Sequence, residues 1–117
     1  MPFSLNTAAV LPIVLLILSN IFMTFAWYGH LKYTSSPLYM AVVASWGIAF
    51  FEYCLQVPAN RIGSGVMTAP QLKGLQEIIS ILVFAAFSWL WLGQAVTPRQ
   101  WLGFALIAVA AYLIVGD

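Results

Sequence analysis

Four long apolar stretches separated by short polar loops make up the chain, and a helix needs about 20 apolar residues to cross a bilayer's hydrocarbon core. The pattern predicts transmembrane helices over residues 7–29, 38–57, 69–93 and 99–115. His30, Lys32, Thr34, Ser35, Ser36 and Pro37 end the first span, and Pro58 closes the second before Asn60 and Arg61. A flexible Gly63-Ser64-Gly65 loop follows. Thr68 and Gln71 have the spacing of a capping box with Pro70 in the first turn, so the third helix starts at Ala69 and holds Gln76 and Glu77 inside it. It ends near Gly93, with Thr97 and Pro98 making the last turn. The fourth span is short and crosses with Arg99 and Asp117 at the two interfaces. The first run has no Lys or Arg ahead of it, exceeds the length of a signal h-region and precedes three more spans, so it reads as a permanent helix. The expected fold is all-α: one polytopic membrane domain over residues 1–117, with four helices in a bundle.

Four spans put the first and third loops on one side of the membrane and the second loop with both termini on the other. Trp27, Tyr28, Tyr33, Tyr39, Trp89, Trp91 and Trp101 all fall at the first-loop face, where amphipathic rings favour the headgroup level. Lys32 and Arg99 lie on that side and Arg61 and Lys73 on the other, so the positive-inside rule selects neither orientation. The equal count admits insertion both ways and an antiparallel pairing of two copies.

Composition narrows the function. Hydrophobic residues make up 63% and charged residues 6%, far from the roughly 25% charged content of soluble domains, so the partner is the lipid bilayer. A net charge of +1 with scattered cations excludes nucleic-acid binding. Cys54 is the single cysteine and lies in an apolar run, which excludes an intramolecular disulfide and a cysteine-built metal site. No cofactor is expected.

Ionisable groups in a span cost at least about 2.5 kcal/mol to insert and are functional candidates. Glu52 lies beyond the middle of the second span, in a stripe with Ser45, Ala49, Gln56 and Asn60. The third span carries Lys73, Gln76, Glu77, Ser80, Phe84 and Ser88; the first carries Ser19, Asn20 and Thr24. These stripes are expected to face one another, since polar groups aimed at lipid go unsatisfied. Glu52 and Glu77 would line a cavity opening toward the second loop, where proton and substrate compete for one carboxylate. Gln56 and Asn20 are further binding candidates, and Trp46 and Tyr53 flank the acidic stripe where they can stack on a cation. Blander readings stand beside these: Lys73 and Glu77 can form a local ion pair, Arg61 can snorkel back toward Glu52 or Gln56, and the rings can be simple packing. Gly103, Ala108, Ala110 and Ala111 suit either a dimer seam or packing within the protomer. His30 reads as interfacial.

A family resemblance adds to this. Trp91 to Ile114, WLGQAVTPRQWLGFALIAVAAYLI, resembles the closing two-helix segment of the drug/metabolite transporter superfamily, with Gln94 where a Glu is usual. FMTFAWYGHLK (Phe22 to Lys32), SWGIAFFEYCLQVPANR (Ser45 to Arg61) and LKGLQE (Leu72 to Glu77) resemble the signature blocks of a small four-helix bacterial branch of that superfamily. The resemblance implies a multi-pass protein of the bacterial inner membrane that carries a small-molecule solute. Small multidrug resistance proteins, distant four-helix relatives, exchange cations for protons as antiparallel dimers through a glutamate in the first helix. Asn20 and Thr24 stand in the first helix here, so that site does not transfer, and Glu52 is the physical substitute. A chain this small cannot form a pathway alone. The expectation is therefore a homodimeric secondary transporter of a small polar or cationic solute; the alternative is a non-transporting structural or accessory subunit. An enzyme is not expected, because nucleophile, base and metal ligands converge nowhere.

Overall fold

The computed structural model describes residues 7–116, so Asp117, expected at an interface, lies outside the described residues. Helix α1 spans Thr7–Tyr28 and passes into a 3-10 turn, Gly29–Tyr33; α2 spans Leu38–Gly63, α3 Ala69–Leu90 and α4 Pro98–Val115. All four helices are long and apolar enough to cross a membrane.

The second helix does not stop at Val57. It continues through Pro58 to Gly63. A proline inside a helix removes one backbone hydrogen bond and crowds the preceding turn, but continuing the helix satisfies the remaining backbone groups, which is the governing need in lipid. The extra turn is also held from outside: Ala59 is fully buried and Asn60 bonds to a side chain of α3.

The third helix starts where the capping box places it, with Gln71 N donating to Thr68 Oγ1 (3.3 Å) and Thr68 N donating to Gln71 Oε1 (2.9 Å). It ends at Leu90, short of the expected Gly93. There the chain turns back: Gly93 adopts φ 70°, Gln94 N donates to Ser88 O at 2.9 Å, and Ser88 Oγ donates to Gln94 O at 2.7 Å. A second capping box opens α4, with Thr97 N donating to Gln100 Oε1 (3.0 Å) and Gln100 N donating to Thr97 Oγ1 (3.2 Å) behind Pro98. Thr97 and Pro98 therefore begin the fourth helix instead of closing the third.

The helices lie side by side in the order α2, α1, α3, α4. α1 packs along α2 and against α3, α4 touches α3 alone among the helices, and α2 meets α3 only sparingly. Leu16 of α1, Ala59 of α2 and Ile79 of α3 form the core, flanked by Leu15, Leu75 and Val83. Ala59 and its neighbours belong to the half of the molecule nearer the second loop, where Gly63 lets α2 approach Pro12 and Leu72: a Cβ there would stand 2.7 Å from Leu72 Cδ2. The opposite end is tied by aromatic rings. Phe25 packs edge-on against Phe87 and Trp91, with centroids 4.9 and 5.0 Å away, Trp91 Nε1 donates to Gly29 O at 3.1 Å, and Lys32 Nζ stands 4.4 Å above the Trp91 ring.

The small residues of α4 divide by role. Ala111 is buried against Gly74 of α3, where an added Cβ would stand 3.1 Å from the Ala111 carbonyl oxygen and from Val115 Cγ2. At Gly103 an added Cβ would meet no atom of the described residues within 4 Å. Gly74→Leu is expected to force α3 and α4 apart and to lose about 1–3 kcal/mol through overpacking. Gly103→Leu should leave stability nearly unchanged. Thermal unfolding of both variants in one detergent checks the contrast; equal losses would contradict this account of the seam.

Candidate functional site

Ser19, Asn20 and Thr24 on α1 and Glu52 on α2 are buried polar residues in a molecule with few of them. They sit there because α1 and α2 pack along their lengths, which turns the α1 stripe inward against the start of the acidic stripe. Glu52 is 5% exposed. Its Oε1 lies within hydrogen-bond distance of Ser19 Oγ, at 3.0 Å, and Ser19 Oγ also lies 2.7 Å from Gln56 Oε1. Gln56 Nε2 donates to Asn60 Oδ1 (3.3 Å), and Gln76 Nε2 of α3 donates to the same oxygen (2.7 Å). One line of neutral polar groups thus runs from Glu52 to α3.

Asn20 turns partly into its own helix. Its Nδ2 donates to Leu16 O at 2.8 Å, and Thr24 Oγ1 donates to Asn20 O at 2.7 Å. Asn20 Oδ1 is buried and meets no hydrogen-bond partner among the described residues, an uncommon condition for a buried acceptor.

The two glutamates part company. Glu77 Oε1 is 2.8 Å from Lys73 Nζ, in a pair whose side chains are 73% (Lys73) and 43% (Glu77) exposed, whereas no ion pair reaches Glu52 among the described residues. Arg61 is exposed and does not turn back to it.

A cavity of about 540 Å³ runs between α1 and α2 from Glu52 toward the first loop. Met23, Ala26, Trp27 and His30 line one wall; Leu38, Ala41, Val42, Ser45, Trp46, Ala49, Glu52 and Tyr53 line the other. This corrects the expected direction. The second-loop end is closed by the Leu16–Ala59–Ile79 core and by the Asn60–Gln76 bond, so the space lies on the other side of Glu52 and excludes Glu77. Trp46 and Tyr53 share the cavity with Glu52, as their place beside the acidic stripe suggested. Trp27 and His30 also join it, although the spacing on α1 marked them only as interfacial. Their signal was position: Trp27 lies one turn on from Met23 along α1, and His30 follows in the 3-10 turn. Trp46 is 74% exposed, so the cavity is open along its side.

A family model described as "Putative member of DMT superfamily (DUF486)" matches residues 12–115. The chain belongs to this family. Membership suggests a transporter, and with four apolar helices it makes the protein a multi-pass membrane protein. Neither the curated proteins nor the solved structures contain a match to the chain.

The Lys73–Glu77 pair is exposed and local, so it should contribute at most about 0.5 kcal/mol. Glu77→Gln is expected to shift the unfolding midpoint in detergent only slightly. A large loss of stability in that variant would show that Glu77 is held by more than Lys73.

Proposed function

We propose that this chain is a protomer of a secondary transporter of the bacterial inner membrane, which carries a small cationic solute and exchanges it for a proton at Glu52. The observation that supports this best is the setting of Glu52: a carboxyl in a membrane span, without an ion-pair partner among the described residues, at the closed end of a cavity walled by Trp27, Trp46 and Tyr53. A structural carboxylate in a low-dielectric interior is ordinarily paired with a cation, since unpaired burial is costly. A carboxylate that alternates between a proton and a cationic ligand needs no permanent partner. The aromatic walls suit the apolar body of such a ligand and the charge suits its cationic head.

A homodimer supports this function because one protomer leaves the site unfinished. The cavity is open along its side, and α2 presents Tyr39, Val43, Trp46 and Phe50 outward beside it. A second copy laid across this face would complete the wall, and the equal division of Lys and Arg between the two sides is compatible with an antiparallel partner.

The carrier reading fixes the sign of the pH effect. Protons and cation compete, so cation binding should strengthen as pH rises through the titration of Glu52, and bound cation should stabilise the fold in step. A ligand-stabilisation screen of purified protein across amines and guanidinium compounds at two pH values checks this. Stabilisation at the higher pH that disappears in Glu52→Gln, together with loss of cation-driven proton flux in vesicles, is the expected result. Unaltered transport by Glu52→Gln would remove Glu52 from the mechanism.

A further inference from the structure

The Ser19 hydroxyl carries one hydrogen and stands between two oxygens, Glu52 Oε1 at 3.0 Å and Gln56 Oε1 at 2.7 Å. One hydrogen cannot serve both contacts fully, so the other must be supplied from the opposite side. Gln56 has none to give there, because its Nε2 is engaged with Asn60 Oδ1. Glu52 has one when it is a carboxylic acid. The observed arrangement is then satisfied at every step. Glu52 donates to Ser19, Ser19 donates to Gln56 Oε1, and Gln56 Nε2 donates to Asn60 Oδ1. That oxygen uses its second lone pair to accept from Gln76 Nε2 of α3.

Release of the Glu52 proton into the cavity upsets this order. Ser19 turns its hydrogen toward the carboxylate, a charge-assisted bond that outweighs a neutral one. Gln56 Oε1 then faces a hydroxyl lone pair at 2.7 Å, and the amide relieves this by turning Nε2 to donate to Ser19. Its oxygen now faces Asn60, which must turn Nδ2 toward it. Gln76 Nε2 then confronts a donor where it had an acceptor, and must either turn its own oxygen inward or let go. The reversal ends at the contact between α2 and α3 that helps close the cavity at the second-loop end.

We propose that Ser19 is a positioning residue that couples the proton on Glu52, through Gln56 and Asn60, to Gln76 and so to this closure. The inference rests on the reading of Glu52 as the proton site and deepens it: it says how a protonation event between α1 and α2 reaches α3. Other ionisable groups do not intrude. Helix α1 brings no charged side chain to Glu52 from its described residues, His30 and Tyr53 are the titratable groups that share its cavity, and on α3 Lys73 and Glu77 are bonded to each other. Helix α4 touches neither α1 nor α2.

Nuclear magnetic resonance of the full chain in lipid nanodiscs reads both ends of the line at once. The probes are the Glu52 carboxyl carbon and the Gln76 side-chain amide, followed across pH. The expected result is a Gln76 amide shift with the same midpoint as Glu52. In Ser19→Ala and in Gln56→Met that shift should be lost while Glu52 still titrates; the second variant is near-isosteric and keeps the test sound if the first folds poorly. A titrating Glu52 beside an unmoved Gln76 in the wild type overturns the coupling and leaves the transport reading standing. A Gln76 response that survives both substitutions overturns the assigned route. A Glu52 carbon that never moves overturns the transport reading and the coupling together.

Discussion

A carboxyl group inside a membrane protein must be given hydrogen-bond partners or a countercharge, because the surrounding medium offers neither. Here the partner is a hydroxyl from the adjacent helix. That contact joins α1 to α2 at the depth of Glu52, and the other side of the carboxyl faces a cavity. The rest of the arrangement is consistent with this constraint. Below Glu52 the three helices close on Leu16, Ala59 and Ile79; above it α1 and α2 leave space between them.

The molecule divides unequally. α1 and α2 hold Glu52 and its cavity, whereas α3 and α4 form a close pair at Gly74 and Ala111. Two links join the halves at opposite ends. At the first-loop face, aromatic rings and the Trp91 bond to Gly29 tie α1 to α3 with no titratable carboxyl involved. Near the second loop the link combines the Leu16–Ala59–Ile79 core with the Asn60 and Gln76 amides, whose donors and acceptors can exchange places. The first is suited to hold position and the second to change it, an asymmetry that fits the proposed carrier.

Much of the fold was legible in the chain. Apolar run lengths gave four helices, and Thr68 with Gln71 gave the start of α3. The same signal was present at Thr97 and Gln100, yet Thr97 and Pro98 read as a closing turn because the apolar run of α4 begins later. Pro58 misled for a physical reason: a proline is a strong local signal, and contacts made by Ala59 and Asn60 with other helices outweigh it. At the site, spacing singled out Glu52, Gln56, Trp46 and Tyr53. It could not say which polar stripes touch, and so placed Glu77 beside Glu52 in one cavity and aimed that cavity at the second loop. Ser19 and Asn60 were visible as stripe members, but their bonds depend on how far each helix is turned about its axis, which no single helix's periodicity encodes.

The central claim is that Glu52 is a protonatable carboxyl reached from an apolar cavity, with no ion-pair partner among the described residues. A hydrophobic carbodiimide tests it most directly, since the reagent adds to protonated carboxyl groups in apolar surroundings and marks them for mass spectrometry. Modification confined to Glu52, slowed at high pH and by a bound organic cation, is the expected result. Modification of Glu77 with Glu52 untouched, or labelling of Glu52 at a rate indifferent to pH, contradicts it.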